Sequence, residues 1–345
     1  MRRIIGKDKK GRSILINVPS YDEIYINNQL GSLTAYDIGI SSNGSGSADT
    51  PAAASGTQNA IFSFGRISGG NVNATNLVSN TGVVANNISC VGTIRNSLAA
   101  AGYGTDKAIF GYGRTGDFTY VSITNLVSNT GVMASDTTGV GTSRILLTGA
   151  GYGTDKAIFG YGLGPPQVSI TNLVSNTGVV ATDTTGVGTA REGLSAAGYG
   201  TDKAIFGYGI TSVQVSMTNK VSNTGVVATD TTGVGTARGY LAAAGYGGDK
   251  AIFGYGGSGA GGGVSITNLV SNTGVVATDT TGVGTTRYFL AAAGYGGDKA
   301  IFGYGTGAVT YSLTNLVSNT GVVATDTTGV GTARYGLAAA GYSLS

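Results

Sequence analysis

The sequence contains no histidine and no tryptophan, a single cysteine (Cys90) and only 4 prolines among its 345 residues. Without histidine, the chain lacks the general base of the serine and cysteine triads and the imidazole ligands of common zinc sites. One cysteine excludes both an intrachain disulfide and a cysteine-only metal cluster. We therefore expect no catalytic residues, no metal site and no cofactor, and we interpret the chain as not being an enzyme.

Charge is also scarce: charged residues make up 11% of the chain and the formal net charge is +3. This balance is too weak and too evenly spread to indicate a nucleic-acid partner. The one local excess lies in residues 1–12, which predict a basic N-terminal arm. No apolar run reaches the roughly 18 residues of a membrane span, and no signal peptide is evident, so we expect no membrane insertion.

Glycine is abundant instead, with 62 residues that separate recurring apolar segments. The arginine of Gly-Val-Gly-Thr-Ala-Arg and the first asparagine of Thr-Asn-Leu-Val-Ser-Asn, or of close variants, recur every 47 to 49 residues. Such a period is the sequence signature of a repeat architecture. It predicts six repeats, at about residues 51–94, 95–143, 144–190, 191–237, 238–286 and 287–334.

Each repeat divides into four short apolar segments that are separated by turn residues. In one copy these segments are Leu290–Tyr295, Lys299–Tyr304, Ser312–Ser318 and Gly321–Thr327. The turns between the first pair and the second pair are Gly-Gly-Asp and Asn-Thr-Gly, both of which are hairpin signals. Four hairpin-linked strands per repeat are typical of a propeller blade, so we predict an all-β fold of four-stranded antiparallel blades.

The chain ends with one more first-strand sequence, Leu337–Tyr342, which would be an unpaired sheet edge without a partner. Ser13–Val18, Glu23–Ile26 and Ser32–Asp37 are interpreted as strands whose spacing is close to that of a repeat. We therefore predict that residues 13–345 form a single seven-bladed β-propeller. The C-terminal strand would close the ring by pairing with the N-terminal strands, in a blade shared by residues 13–40 and 335–345. A six-bladed propeller with a separate N-terminal arm is the alternative.

The segment Arg287–Gly305 contains an arginine, an alanine-rich strand, a tight turn and an aromatic-glycine strand, and Thr314–Asp326 follows around an Asn-Thr-Gly turn. Together they resemble the kelch repeat, although the usual fourth-strand tryptophan is absent. The repeats also look like the glycine-rich repeats of phage and virus structural and surface proteins, such as tail components. The resemblance implies a non-enzymatic structural or binding propeller on a virion or an extracellular surface.

Several repeated side chains have both a structural and a functional interpretation. Carboxylates at the Asp106 and Asp136 positions could hold calcium, but capping of turns is the favoured reading. The repeated arginines are expected to donate hydrogen bonds to carbonyls of the next blade. Tyrosines at the Tyr103 position are expected to close the first strand, with a glycan platform as the alternative.

The positions that vary while the rest of the repeat stays constant are the candidate binding residues. They include the loops between the second and third strands and the residues directly after each arginine: Asn96, Ser97, Ile145, Leu146, Glu192, Tyr240, Tyr288, Phe289 and Tyr335. The expected partner is another structural protein or a cell-surface receptor or glycan, and self-association into a homo-oligomer is a further expectation. The alternative function is a lectin-like propeller that binds carbohydrate.

Overall fold

The computed structural model describes residues 2–7, 13–18, 58–259 and 262–343. The chain divides into two compact units, Met1–Ala53 and Ala54–Ser345. In the first unit, β1 (Arg2–Lys7) pairs antiparallel with β2 (Ser13–Val18). The strand predicted at Ser13–Val18 is therefore confirmed, and part of the segment expected to be a basic arm is its partner strand. The strands predicted at 23–26 and 32–37 lie outside the described residues.

The described part of the second unit contains six three-stranded antiparallel sheets and no helix, so no described helix could span a bilayer. The first strands of sheets 1 to 6 are β24 (Ala338–Ser343), β7 (Ala99–Tyr103), β10 (Thr148–Tyr152), β13 (Ser195–Tyr199), β17 (Ala242–Tyr246) and β21 (Ala291–Tyr295). The middle strands are β3 (Gln58–Ser63), β8 (Lys107–Gly111), β11 (Lys156–Gly160), β14 (Lys203–Gly207), β18 (Lys250–Gly254) and β22 (Lys299–Gly303). The third strands are β6 (Thr75–Val78), β9 (Thr124–Val127), β12 (Thr171–Val174), β15 (Thr218–Val221), β20 (Thr267–Val270) and β23 (Thr314–Val317).

Four two-residue strands lie in the connecting loops. The first two, β4 (Arg66–Ile67) and β5 (Gly70–Asn71), pair with each other, and β16 (Arg238–Gly239) pairs with β19 (Gly257–Ser258). These pairs form two separate two-stranded sheets. The expectation of an all-β fold is confirmed.

The fourth segment of each sheet is attached by isolated bridges rather than by a full ladder. In sheet 2, Thr124 and Val127, three residues apart, bridge to Thr137 and Met133, four residues apart. The outer segment therefore carries one extra residue, as in a β-bulge, and the ladder is interrupted. The side-chain amide of Asn125 fills the gap by donating to the Ala134 carbonyl at 3.1 Å. The prediction of four complete strands is wrong for this reason: each sheet has three strands and one bridged segment.

The C-terminal strand, β24, pairs antiparallel with β3 in sheet 1. Ala339 lies opposite Phe62, and Tyr342 lies opposite Asn59. The predicted pairing of residues 335–345 with strands of residues 13–40 is therefore wrong. The same strand lies between β21 and β7, just as β10 lies between β7 and β13, so every first strand neighbours two others. The structure describes no further sheet between sheets 6 and 1.

The hydrophobic core consists of one cluster between each pair of consecutive sheets. Between sheets 3 and 4, Ala150, Ile158 and Tyr161 contact Ala196 and Phe206. The cluster between sheets 6 and 1 has the same composition and includes residues from both ends of the second unit. Because one sheet cannot bury both of its faces alone, each depends on its two neighbours for stability.

Deletion of residues 335–345 should abolish cooperative thermal unfolding, followed by circular dichroism. The deletion exposes the edge of β3 and removes apolar side chains from two core clusters. A chain that lacks residues 1–53 serves as the control, and its unfolding midpoint should shift by less than about 2 °C, the change that about 1 kcal/mol produces in a domain of this size. A stable 335–345 deletion, or an unfolded 1–53 deletion, would contradict the pairing of β24 with β3.

Candidate functional site

One fully buried arginine per repeat connects consecutive sheets. Arg144 donates from Nε to the Tyr161 carbonyl at 2.8 Å, from Nη1 to the Thr142 carbonyl at 3.0 Å and from Nη2 to Asn172 Oδ1 at 2.6 Å. Its guanidinium also lies 4.4 Å from the ring centroid of Tyr112 in the preceding sheet. The same three hydrogen bonds and the ring contact recur at Arg95, Arg191 and Arg238. The expectation that these arginines donate to carbonyls of the next sheet is confirmed.

The aspartate at the end of the fourth segment caps the loop that leads into this arginine. Asp183 accepts hydrogen bonds from the Thr142 amide at 3.0 Å, the Thr142 hydroxyl at 2.6 Å and Asn172 Nδ2 at 2.9 Å. Burial alone would raise the pKa of Asp183, but these hydrogen bonds outweigh it and hold the pKa below its ordinary value. The described residues form no cluster of three or more potential metal ligands. The geometry supports capping rather than calcium binding.

The positions that vary after each arginine lie together at one end of the sheets, which we call the variable end. There, the residue two positions after each arginine donates its backbone amide to the carbonyl of its equivalent in the preceding repeat. The series runs Ser97 to Gly336, Leu146 to Ser97, Gly193 to Leu146, Tyr240 to Gly193, Phe289 to Tyr240 and Gly336 to Phe289, over 2.7 to 2.9 Å. After six hydrogen bonds it returns to its start. All six residues have φ between +53° and +62°.

Four aromatic rings contact one another at the variable end. Phe289 stacks on Tyr240 with their ring centroids 4.0 Å apart, and it also contacts Tyr288 at 5.6 Å and Tyr335 at 6.1 Å. Each of the four side chains is half-buried. The structure thus brings four of the sequence-predicted candidates into one cluster, which we call the aromatic cluster.

The remaining sequence-predicted residues differ in their exposure. Asn96 and Ile145 are only 3% and 5% exposed, so they support the loops and do not form a contact surface. Ser97, Leu146 and Glu192 are half-buried. Burial raises the pKa of Glu192, and its Oε2 atom is buried without a hydrogen-bond partner.

Three further residues at this end were predicted from the sequence only as members of the variable loops. Arg66 bridges to Tyr335 and Arg114 bridges to Asn96, which places both arginines beside the candidate positions. Phe118, in the same loop as Arg114, is 62% exposed. The sequence signal that locates them is the variability of the loops between the second and third strands, which does not by itself say which loop residues converge.

The opposite end of the sheets has nearly the same residues in every repeat. A cavity of about 320 Å³ is lined there by tyrosines from five of the six sheets and by five lysines. The tyrosine rings are buried against the next sheet: a Cβ added at Gly225 would lie 2.9 Å from the Tyr152 ring. The lysines pair with the adjacent aspartates, as Lys203 Nζ does with Asp202 at 2.5 Å. These tyrosines therefore close the first strands, and the geometry gives no support to a glycan platform at their positions.

Comparison with known proteins gives no family for this chain. No protein-family model matches the sequence, and no curated protein matches it either. The likeness to kelch repeats and to virion proteins therefore stays an expectation from the repeat pattern, and the interpretation of the site depends on its geometry.

Replacement of a buried arginine should be among the most destabilising single changes in this protein. Arg191→Met leaves the Tyr208 and Thr189 carbonyls and Asn219 Oδ1 without their donor, and we expect a loss of about 3–5 kcal/mol in urea unfolding. The matched control is Lys203→Met, which removes an exposed ion pair worth less than about 1 kcal/mol. Equal losses in the two variants would contradict the bridging role of Arg191.

Stability should fall in acid as the capping aspartates become protonated. The pKa of Asp230 is lower in the folded state than its unfolded value of 3.8. The stability that this aspartate contributes is therefore complete above pH 3.8 and is lost as the pH falls through the lower, folded-state pKa. Asp230→Asn should therefore lose less stability than the parent protein between pH 6 and about pH 3, as measured by urea unfolding at both values. Asparagine already occupies this position in the first repeat, as Asn87. An equal loss of stability in the variant between the two pH values would contradict the capping role of Asp230.

Proposed function

We propose that the second unit is a closed six-bladed β-propeller that serves as a non-enzymatic binding scaffold, with the variable end as its contact surface. The closed arrangement is supported by the position of β24 between β21 and β7 and by the six-membered hydrogen-bond series. The same observations favour six blades over seven, because the series passes through six repeats before it returns to Ser97.

The observation that carries the binding proposal is which residue types occupy the positive-φ positions of the hydrogen-bond series. Gly193 and Gly336 meet the demand for positive φ without strain, whereas Tyr240 and Phe289 occupy equivalent positions at a cost on the order of 1–3 kcal/mol. The backbone therefore does not require these aromatic side chains. Strain that the fold does not need is common at ligand-binding positions.

The aromatic cluster also has the composition of a protein-binding hot spot. Tyrosine is enriched among the residues that dominate interface energies, and a half-buried ring gains further burial when a partner covers it. The polar side chains of Ser97 and Glu192 lie in the same series of loops and would form the rim. The partner we propose is another protein of the assembly or a surface receptor. A place on a virion or an extracellular surface, and self-association, stay predictions from the repeat pattern.

Carbohydrate binding is the second candidate. A sugar ring can stack on an aromatic face while its hydroxyls donate hydrogen bonds to a carboxylate, and the stacked Tyr240–Phe289 pair near the half-buried Glu192 offers both elements. This reading requires a glycan at the aromatic cluster and not at the buried tyrosines of the opposite end.

A display screen with a random peptide library tests the proposal. We expect peptides that bind the parent protein and lose at least about tenfold in affinity, about 1.4 kcal/mol, toward the triple variant Tyr240→Ser, Tyr288→Ser, Tyr335→Ser. The matched control carries Val132→Ser, Val226→Ser and Val322→Ser, which are exposed positions in the turns before the fourth segments. Unfolding midpoints of all three proteins are compared first.

Peptides that bind the parent and the aromatic variant equally would contradict the assignment of the variable end. A glycan array run on the same proteins decides between the two candidates. Sugar binding that is lost in the aromatic variant but retained in the control would show that the ligand is a carbohydrate and not a protein.

A further inference from the structure

Two arginines from adjacent sheets lie over the same exposed aromatic ring at the variable end. The Cζ atoms of Arg114 and Arg66 are 4.8 Å and 5.9 Å from the ring centroid of Phe118. Arg66 belongs to a loop of sheet 1, and Arg114 and Phe118 belong to a loop of sheet 2. We call these three residues the arginine–phenylalanine cluster. A ring quadrupole attracts each cation, but it does not neutralise them.

Neither guanidinium has a counter-charge among the described residues. Their Nε atoms are buried without a hydrogen-bond partner. The nearest carboxylate along the chain, Asp117, is engaged within its own turn by the Thr115 hydroxyl and the Thr119 amide. Two guanidinium charges therefore contact one ring, at 4.8 Å and 5.9 Å from its centroid, and no described carboxylate forms an ion pair with either of them.

Unsatisfied buried polar atoms are rare in folded proteins, and each one needs an explanation. In the described part of this chain, three of the six such atoms belong to Asn76, Arg287 and Arg334, which are members of the buried arginine network. The other three are at the variable end: Arg66 Nε, Arg114 Nε and Glu192 Oε2. Water provides hydrogen-bond acceptors for the donors of an ordinary surface arginine. It does not account for the buried Nε atoms of Arg66 and Arg114, which have no partner.

The loops that carry the cluster are held in place by the fold. The Arg66 amide donates to the Tyr335 carbonyl at 2.8 Å, and the Arg114 amide donates to the Asn96 carbonyl at 2.9 Å. The two loops are joined by Asn71, whose Nδ2 donates to the Arg114 carbonyl at 3.1 Å and whose Oδ1 accepts from Asn96 at 2.6 Å. A ligand would therefore meet a preorganised backbone, which reduces the entropy lost on binding.

We infer that the arginine–phenylalanine cluster binds an oxyanion attached to an apolar or aromatic group. The guanidinium groups would donate charge-assisted hydrogen bonds to a carboxylate or a phosphate ester, and the exposed face of Phe118 would contact the attached group. This inference rests on the proposed function in one respect: the molecule that bears the oxyanion is taken to be the partner bound at the variable end. Glu192, in sheet 4, would repel the same anion, so the partner would be oriented with its acidic group toward sheets 1 and 2.

Isothermal titration with phenyl phosphate and with phenylacetate tests the site directly. We expect a dissociation constant on the order of 1 mM for at least one of the two probes, and the tighter probe identifies the oxyanion. Arg66→Gln and Arg114→Gln should each weaken binding about tenfold, because each removes a charge-assisted donor. Phe118→Leu should weaken it less, by about threefold, since it removes the ring but retains apolar bulk.

The matched control is Lys220→Gln, which removes one positive charge from another surface of the same unit. Its affinity should stay within about twofold of the parent, since screened charges at a distance contribute little. Unchanged binding in the double variant Arg66→Gln, Arg114→Gln would overturn the inference, as would an equal loss in Lys220→Gln or binding of uncharged benzyl alcohol with the same affinity.

The two proposals can fail separately. The aromatic variant Tyr240→Ser, Tyr288→Ser, Tyr335→Ser retains both arginines, so it should still bind the probe if the anion site exists. If the probe binds but no peptide or glycan does, the anion site is supported and the proposed scaffold function is contradicted. If peptides bind equally to the parent and to the arginine variants, and the probe does not bind, the scaffold function is retained and the anion site is rejected.

Discussion

The buried guanidinium that joins consecutive sheets is the interaction on which the rest of the structure depends. Each one lies on an aromatic ring of the preceding sheet and donates to acceptors of the following sheet, as Arg144 does with Tyr112 and Tyr161. A buried cation is costly unless most of its donors have acceptors, so the surrounding Thr-Asn-Asp framework recurs with it. This coupling explains why the arginine and its acceptors recur in each repeat while neighbouring residues change.

The network is weakest where the two ends of the second unit meet. Arg334 stacks on Tyr304 and donates to the Phe64 carbonyl, but its Nη2 and Asn76 Oδ1 both lack a partner. Asn87 stands where the later repeats have aspartate, so this arginine also lacks the nearby carboxylate. The hydrogen bonds between β24 and β3 join the two ends across this junction.

Constant and variable residues are separated along the length of the sheets. At one end, the Gly-Tyr-Gly and Asp-Lys turns pack against neighbouring sheets and are nearly the same in all repeats, because packing leaves little freedom there. At the variable end, the backbone amides and carbonyls carry the contact between repeats. Backbone hydrogen bonds do not depend on side-chain identity, so the side chains there are free to become aromatic, acidic or basic. The result is a surface with Glu192 on one side and two arginines on another.

The sequence by itself determined the all-β class, the period and the variable positions, because turn residues and alternating apolar segments are local signals. It also predicted the structural role of the arginines. It did not determine the partner of β24, since Ser13–Val18 and Gln58–Ser63 are both strands and only tertiary contacts choose between two candidate edges. It could not show that Asn96 and Ile145 are buried, or that Arg66 and Arg114 share the ring of Phe118. Those facts arise when equivalent loops of adjacent sheets are brought side by side, and proximity across sheets is decided by packing and not by order along the chain.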